Sequence, residues 1–244
     1  MSRVDIRVFD SLGSTNTAMA ADAATLPHGT VYRAVAQTAG RGQRGNSWEA
    51  SPGLNLTFSL LLRPRTVSPA EAFAVSMLTS LSIAGVLERH LGREVLIKWP
   101  NDIYVGDLKL AGILIENSFS THIDRSIIGV GINVNQREFR SDAPNPVSMY
   151  QLAGREFALD ALQLEVAQAM TDDFDRYEAS PELAALTARY RSRQWRGSGT
   201  HRWRDNLTGE ILEAAIASIA PDGTLTLATE PPRSYAFKEI SPIL

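Results

Sequence analysis

The sequence predicts an α+β protein, in which a mixed β-sheet with packed helices is followed by a small C-terminal β domain. Through about residue 193, strand-like segments alternate with longer segments whose apolar residues recur at helical spacing. After Trp195-Arg196-Gly197-Ser198-Gly199 the pattern changes to short strands separated by Gly- and Pro-containing turns. We therefore predict two domains, residues 1–194 and 195–244.

The first half of the large domain predicts three strands and two helices. The strands are Val4–Phe9, Thr30–Gln37 and Leu54–Leu62. Ser14 or Thr15 follows the first strand and can cap a helix that runs to about Ala24. Ser68-Pro69-Ala70-Glu71 combines a Ser cap, Pro at the first helical position and Glu three residues after the cap. This pattern predicts a buried apolar helix that ends near His90.

The rest of the chain predicts more strands than helices. Four strands are expected at Val95–Lys98, Ile103–Val105, Leu108–Glu116 and Ser126–Asn135. Two helices are expected at Leu159–Tyr177 and Pro181–Arg193. Four short strands of the small domain are expected at Thr200–Asp205, Ile211–Ile219, Thr224–Ala228 and Ser234–Glu239.

Composition limits the classes of function. The 244 residues carry a net charge of −3, which argues against broad attraction to DNA, RNA or an anionic membrane. The absence of cysteine excludes disulfides and thiolate-bound metals. The first residues alternate like a strand and lack the apolar run of a signal peptide, so we expect a soluble cytoplasmic protein.

The segment from Lys98 to Glu116 stands out because the chain has only three lysines and two of them lie in it. If Gly106-Asp107 is a two-residue hairpin turn, Asp102 pairs with Ala111. Asp102, Tyr104, Lys109 and Ala111 then project from one face, with Asp102 and Lys109 as diagonal neighbours. Gly112 would let a ligand approach the backbone. The alternative is an ordinary surface salt bridge.

A second candidate is the loop Gly40-Arg41-Gly42-Gln43-Arg44-Gly45-Asn46-Ser47-Trp48. Its glycines and arginines offer free backbone N–H groups and positive charge to a phosphate, and Trp48 can cover a planar group. The spacing fits neither a Walker loop nor a dinucleotide fingerprint. A mobile soluble loop and an RNA-contacting loop remain as alternatives.

A third candidate consists of uncharged polar residues after strands. Ser14, Thr15, Asn16 and Gln37 can bind a ureido or amide ring without ionic contacts, although helix capping explains Ser14 or Thr15 equally well. Asn133 ends a later strand, where turn formation is the alternative.

Two other features favour ordinary explanations. The arginines and tryptophans between Arg189 and Arg204 suggest a nucleic-acid patch, but they span the domain junction and can pack the domains together. The four histidines have no metal-ligand spacing, so we expect no dedicated metal site and no Ser-His-Asp triad.

Together and in this order, these motifs resemble the biotin protein ligase family. The motifs are S-T-N, Q-T-A-G-R-G-Q-R-G-N-S-W, K-W-P-N-D-I-Y-V-G-D-L-K-L-A-G-I-L-I-E and G-V-G-I-N-V-N. The resemblance implies a class II synthetase-like catalytic domain and an SH3-like C-terminal barrel. It also implies a biotin–carboxyl-carrier-protein ligase, which forms biotinyl-5′-AMP from biotin and ATP. Such an enzyme then transfers biotin to a lysine of a biotin carboxyl carrier protein domain, and Mg²⁺ arrives with ATP.

The resemblance implies a role for each candidate residue. The catalytic set is Lys109, Arg41 and Asp102. The biotin-binding set is Ser14, Thr15, Asn16, Gln37, Gly40, Arg41, Gly42, Gln43, Lys109 and Gly112. The ATP- and adenylate-binding set is Arg41, Arg44, Gly45, Trp48, Asn101, Lys109 and Asn133. Gln43 stands where many family members have arginine, so this chain lacks one charge that helps to retain the adenylate.

Other expectations concern partners. The first predicted strand begins within ten residues of Met1, which we take to leave no room for an N-terminal DNA-binding domain. Exposed sheet edges could pair two copies into a homodimer. The alternative functions are a lipoate ligase or octanoyltransferase of the same fold, a non-catalytic biotin sensor and an RNA-binding module.

Overall fold

A seven-stranded sheet forms the centre of the molecule. The computed structural model describes residues 3–42, 47–120, 122–140 and 145–243. The strands are β1 (Asp5–Leu12), β2 (Thr30–Gln37), β3 (Leu56–Leu62), β4 (Leu96–Lys98), β5 (Asp102–Val105), β6 (Leu108–Phe119) and β7 (Ile123–Ile132). Their order is β1-β2-β3-β7-β6-β5-β4. Only the β1–β2 pair is parallel, so the predicted mixed sheet is confirmed.

Five helices cover the sheet in the described part of the chain. They are α1 (Thr15–Asp22), α2 (Phe73–Leu91), α3 (Met149–Ala153), α4 (Leu159–Ala179) and α5 (Leu183–Ser192). Both α1 and α4 contact β3, and every residue of β3 is buried. Leu56, Phe58 and Leu60 alternate with Thr57 and Ser59, so one face of the strand is apolar and the other carries buried hydroxyls, with Ser59 bonded to residues of α1.

Helix α2 is the core helix of the large domain. It packs against α4 and α5, and against β4 and β5 at one end of the sheet. By length and composition alone, Pro69–Leu91 could cross a membrane, but 72% of its apolar window is buried inside the structure. That burial is what a core helix requires.

The start of α2 differs from the prediction. Pro69–Glu71 forms a separate 3₁₀ turn and α2 begins at Phe73. The Ser68 hydroxyl donates to the Glu71 carboxylate (3.0 Å) instead of capping a backbone N–H. The capping box lies elsewhere, between Ser148 and Gln151 at the start of α3, a helix that the periodicity did not predict because it is only five residues long.

Two three-stranded antiparallel sheets form the C-terminal part. Their orders are β13-β8-β9 and β10-β11-β12. The strands are β8 (His201–Asp205), β9 (Ile211–Ala214), β10 (Ile216–Ile219), β11 (Leu225–Leu227), β12 (Arg233–Tyr235) and β13 (Ile240–Pro242). The single strand predicted at Ile211–Ile219 is wrong: Ala214 pairs with His201, whereas Ile216 pairs with Leu227 in the other sheet. The chain changes sheet at Ala215, as strands do at the corners of small β sandwiches and barrels.

Candidate functional site

A cavity of about 920 Å³ lies between the face of the large sheet and the C-terminal strands. Twelve of the residues expected at the site line it: Ser14, Thr15, Asn16, Gln37, Arg41, Gly42, Trp48, Asn101, Asp102, Lys109, Gly112 and Asn133. Gly40 lies at its edge, against Trp48 and Gln37. The expectations for Gln43, Arg44 and Gly45 lie outside the described residues.

At one end of the cavity Lys109 and Asp102 form an ion pair, with 2.8 Å between Nζ and Oδ1. The predicted contact is therefore confirmed, but the predicted register is wrong. Tyr104 pairs with Lys109 as expected, whereas Ala111 pairs with Ile103 instead of Asp102. One extra residue on β6 forms a β-bulge here, and such bulges re-aim side chains locally. Asp102 and Lys109 are each about 30% exposed, so both can reach a ligand in the cavity.

Lys98 lies beside this pair, opposite Asp102 in the β4–β5 ladder. Its ammonium group donates to the Tyr104 hydroxyl (3.1 Å) and lies 5.1 Å and 5.5 Å from the ring centres of Tyr104 and Trp195. Burial among these rings lowers the pKa of Lys98, and Asp102 opposes that shift. Burial likewise raises the pKa of the Tyr104 hydroxyl. Lys238 of the C-terminal part also lines the cavity, so all three lysines of the chain do.

At the other end, uncharged groups form a continuous hydrogen-bond network. The Thr15 N–H donates to Gln37 Oε1 (2.8 Å), and the Thr15 hydroxyl lies 3.2 Å from the same oxygen. The Ser59 hydroxyl lies 2.8 Å from Thr15 Oγ1 and 2.5 Å from Asn16 Oδ1. Thr15, Asn16 and Ser59 are buried, which fixes their orientation. Ser14 makes no side-chain cap of α1, so capping does not account for it.

Arg41 does not join the Lys109–Asp102 pair in the described contacts. Its Nη2 lies 2.9 Å and 3.1 Å from the two carboxylate oxygens of Glu116. Glu116 follows Lys109 by seven residues on β6, which corresponds to roughly 20 Å along a strand. The guanidinium group therefore lies at the amide and hydroxyl end of the cavity, next to Asn16, where it and Glu116 form an ion pair beside the uncharged network.

Three glycines make room for side chains on the sheet face. A Cβ on Gly131 would lie 2.3 Å from the Trp48 indole, and one on Gly112 would lie 2.9 Å from it. A Cβ on Gly129 would lie 2.4 Å from Asn16 Oδ1. Because Gly112 pairs with Gly131 in the β6–β7 ladder, the two form a flat floor beneath Trp48. The Lys109 ammonium lies 5.8 Å from the Trp48 ring centre.

Four buried polar atoms on residues that line the cavity have no hydrogen-bond partner among the described residues. They are the Nε1 of Trp48, the Oδ1 of Asn133 and both amide atoms of Gln194. Asn133 is buried, and its Nδ2 donates to the carbonyl of Val147 (3.1 Å). Leaving a buried donor or acceptor unpaired is costly, so these atoms are candidates for ligand contacts.

Several residues of the site were not predicted from the sequence. They are Ser59, Glu116, Gly129 and Gly131 on the sheet, and Trp203, Phe237 and Lys238 in the C-terminal part. The i, i+2 spacing of Gly129 and Gly131 could have indicated a bare strand face, since alternate residues share a face. Nothing local in the sequence pairs Glu116 with Arg41, which lies 75 positions earlier.

The two tryptophans of the suspected nucleic-acid patch pack inward, whereas Arg189, Arg191, Arg202 and Arg204 are exposed. Trp195 and Trp203 are both buried, and their indole N–H groups donate to Asp107 and to the Ala214 carbonyl. No group of three or more His, Cys, Asp or Glu side chains that could hold a metal ion occurs in the described ranges.

The fold and cavity define a class of protein in which a mixed sheet carries one cavity lined by amides and hydroxyls at one end and by ammonium groups at the other. The chain belongs to the biotin/lipoate A/B protein ligase family, because the model of that family matches residues 8–133, which include Thr15, Asp102 and Lys109.

Curated relatives agree with this family. The chain is 36% identical over 217 residues to the bifunctional ligase/repressor BirA of Bacillus subtilis (strain 168), covering 83% of this chain and 62% of that protein. Over 141 residues it is 36% identical to BirA of Escherichia coli (strain K12), covering 57% and 44%. Over 151 residues it is 34% identical to the biotin–[acetyl-CoA-carboxylase] ligase of Mycobacterium tuberculosis, covering 59% and 54%. The chain thus spans between 44% and 62% of these proteins.

Solved structures show the same fold. The biotin protein ligase from Aquifex aeolicus in complex with biotin and ATP superposes with a TM-score of 0.80 at 22% identity, covering 98% of both chains. The biotin protein ligase from Leishmania major in complex with biotinyl-5-AMP gives a TM-score of 0.67 at 20% identity, again covering 98% of both chains. The chain therefore has the biotin protein ligase fold, including its small C-terminal β part.

Proposed function

We propose that this protein activates biotin with ATP to biotinyl-5′-AMP and then transfers biotin to a specific lysine of a biotin carboxyl carrier protein domain. The observation that carries this proposal is the polarity of the cavity, which has Lys109 and Asp102 at one end and an uncharged hydrogen-bonding network at the other. Biotin has the matching polarity, with a carboxylate at one end and a neutral ureido ring at the other.

In the first step, a carboxylate oxygen of biotin attacks the α-phosphorus of ATP and the bond to the β-phosphate oxygen breaks, releasing pyrophosphate. Both reactants are anions, so their approach is opposed electrostatically. The Lys109 ammonium group would lie between them and stabilise the charge that develops on the phosphoryl oxygens. A compact ammonium group suits this position because it can contact two anions at once.

In the second step, the amine of the acceptor lysine attacks the acyl carbon of the mixed anhydride and AMP leaves. The amine must be neutral to attack and loses a proton as the amide forms. Asp102 is the candidate for orienting that amine and accepting the proton. Its ion pair with Lys109 supports this assignment, because the two side chains would then act on the same part of the ligand.

Biotin would lie with its ureido ring toward Ser14, Thr15, Asn16 and Gln37. Gly40, Gly42 and the backbone of Arg41 would approach the ligand from the loop. Gly112 was expected to admit the ligand to the backbone, but the Trp48 indole lies over it, so Gly112 makes room for Trp48 instead. Leu114, on the same face of β6 as Gly112, also lines the cavity and suits the hydrocarbon part of the ring system.

The nucleotide would lie between Trp48 and Asn133. The free Oδ1 of Asn133 can accept from an exocyclic amine, and the Trp48 ring can cover a base. Asn101 is buried and lines the cavity near Asp102, where it can reach the phosphates. Contacts from Gln43, Arg44 and Gly45 stay predictions, as does the catalytic role of Arg41.

The remaining parts of this proposal concern partners. Mg²⁺ would enter bound to ATP. Cytoplasmic location, a possible homodimer and the absence of DNA and membrane binding stay predictions from sequence.

A lipoate ligase is the second candidate, because the matching family includes lipoate ligases. The dithiolane ring of lipoate has no N–H or carbonyl group, however. It would leave the buried hydroxyls and amides around Thr15 without ligand partners, which is unfavourable. The polar network therefore favours biotin.

The test is incubation with biotin, ATP, Mg²⁺ and a biotin carboxyl carrier protein domain, followed by intact mass measurement of the carrier. We expect the mass of one biotinyl group to be added, and Lys109→Ala to slow pyrophosphate release by about 100-fold or more. Arg137→Ala is the control, because Arg137 is an exposed cation outside the cavity. Absence of ATP-dependent labelling by the unmodified protein would overturn the proposal, and preferential lipoate transfer would favour the second candidate.

A further inference from the structure

Glu116 lies behind the uncharged end of the cavity and is the one carboxylate in its hydrogen-bond network as the described residues show it. Its Oε2 accepts from the Asn16 side-chain amide (2.7 Å), and the same amide donates to the Leu114 carbonyl (3.3 Å). Both oxygens accept from Arg41. Glu116 is the last residue of the Lys98–Glu116 segment, and neither that pattern nor the family resemblance predicted a role for it.

A carboxylate can only accept hydrogen bonds, and this fixes the directions of the bonds made by Asn16 and Ser59. Asn16 must turn its NH₂ toward Glu116, so its Oδ1 faces Ser59. Ser59 has one proton, which must go to Asn16 Oδ1 because that oxygen cannot donate. The Thr15 hydroxyl must then donate within the network, either to Ser59 or to Gln37 Oε1.

The same reasoning gives the pattern presented to a ligand. Because the Thr15 hydroxyl proton is used internally, its oxygen can accept from a ligand N–H. Because Gln37 Oε1 is held by the Thr15 N–H, the Gln37 NH₂ is turned the other way, toward Gly40. The end of the cavity therefore offers an acceptor and a pair of donors side by side. A ureido group has the complementary pattern of two N–H groups and one carbonyl.

We propose that Glu116 is a positioning residue that fixes the donor and acceptor pattern at the ureido end of the cavity, acting through Asn16 and anchoring Arg41 on the same face. This inference rests on the proposed function, since it explains how the cavity selects a ureido ring. Glu116 does not line the cavity itself, so it acts through its neighbours instead of touching the ligand.

A purely structural salt bridge is the competing explanation. The Arg41 and Glu116 side chains are each more than 40% exposed, and such pairs contribute little to folding stability. A structural role therefore predicts a small effect on unfolding and no selective effect on any ligand. A positioning role predicts loss of biotin binding with ATP affinity unchanged.

The first measurement compares Glu116→Gln with the unmodified protein. Glutamine keeps the shape but can present an NH₂ group to Asn16, which leaves only the longer bond to the Leu114 carbonyl (3.3 Å) to orient the Asn16 amide. We expect the Kd for biotin, measured by calorimetry without ATP, to rise about tenfold or more. The KM for ATP and the melting temperature should stay near their original values. Glu88→Gln is the matched control, because Glu88 also pairs with an arginine at similar exposure but outside the cavity.

The second measurement uses a reciprocal exchange. Asn16→Asp places two carboxylates in contact and should weaken biotin binding more than Glu116→Gln does. In the double variant, Asn16→Asp with Glu116→Gln, the introduced amide can donate to the introduced carboxylate. The second oxygen of that carboxylate can still accept from the Ser59 hydroxyl. We therefore expect the double variant to bind biotin more tightly than Asn16→Asp alone, which general destabilisation cannot explain.

The outcomes separate this inference from the proposed function. If the unmodified protein does not bind biotin, the proposed function fails. If it binds biotin and Glu116→Gln binds equally well, or the double variant is weaker than Asn16→Asp, the positioning role of Glu116 is wrong while the proposed function stands.

Discussion

Lys98 and Lys109 lie next to the same aspartate but in different surroundings. Lys109 is paired directly with Asp102 and is partly exposed, whereas Lys98 is enclosed by the rings of Tyr104 and Trp195. The folded-state pKa of Lys98 lies below its ordinary value of 10.5, so the unfolded chain holds that proton more tightly. Burying Lys98 thus costs stability at neutral pH; the cost shrinks as the pH rises above the folded-state pKa and is gone above the unfolded-state value of 10.5. Such a cost is consistent with a functional position.

At this scale Asp102 allows the two proposed steps to be separated. In Asp102→Asn the amide oxygen can still accept from Lys109, so pyrophosphate release should change by less than about tenfold. The amide is not a base, so transfer to the carrier should slow by roughly 100-fold or more. Pyrophosphate release and carrier labelling are measured on the same preparations.

The control for this prediction is Asp124→Asn, since Asp124 lies on β7 outside the cavity and pairs with exposed groups. If Asp102→Asn slows both steps equally, Asp102 serves only to hold Lys109 in place.

At the scale of elements, the sheet face is shaped by two features of different predictability. The alternation of Gly129, Gly131 and Asn133 is present in the sequence and follows from strand geometry. The bulge on β6 cannot be predicted from the sequence. A two-residue turn at Gly106-Asp107 accounts for the pairs nearest the turn, and no residue type marks where the extra residue of β6 is inserted. The Lys109–Asp102 contact was predicted from a regular ladder that does not exist, and it forms because long side chains tolerate a shift of one residue.

Substitution of each of the two glycines of β7, Gly129 and Gly131, should weaken the binding of a different substrate. Gly131→Ala puts a methyl group into the Trp48 indole, and Gly129→Ala puts one into the Asn16 amide. Overpacking of this kind costs about 1–3 kcal/mol, or roughly 10- to 100-fold in affinity. We expect Gly129→Ala to raise the KM for biotin and Gly131→Ala to raise the KM for ATP, as measured by pyrophosphate release.

Gly85→Ala on α2 is the matched control, because a Cβ there has only an ordinary contact at 3.9 Å. Equal effects of Gly129→Ala on both substrates would contradict the division of the cavity into a ring end and a nucleotide end.

At the scale of the whole molecule, the cavity is completed by the C-terminal strands. The Trp99 indole N–H donates to the Gly223 carbonyl (2.9 Å), and its ring packs edge-on against Phe237 at 5.8 Å. The sequence predicted a small β domain and the fold class correctly. It did not predict that Trp203, Ile216, Phe237 and Lys238 would form a wall of the site, since that depends on how distant segments dock.

The domain boundary at residue 195 stays a prediction, and Trp195 is joined to β4 by a backbone hydrogen bond to Ile97.

This arrangement makes a prediction about hydrogen exchange in the unmodified protein. If the ligand occupies the whole cavity, saturating biotin and ATP should slow amide exchange in β10 and β13, which contribute Ile216, Ile240 and Ser241 to the wall. Ligand bound to the native state suppresses the openings that allow exchange, and the slowing grows with ligand concentration over Kd. We expect a decrease of about tenfold or more in these strands and in β6 and β7.

The turn at residues 206–210 is the internal control, because it lies outside the cavity and Leu207 is 74% exposed. Slowing confined to the large sheet would mean that the C-terminal strands pack beside the site without enclosing the ligand.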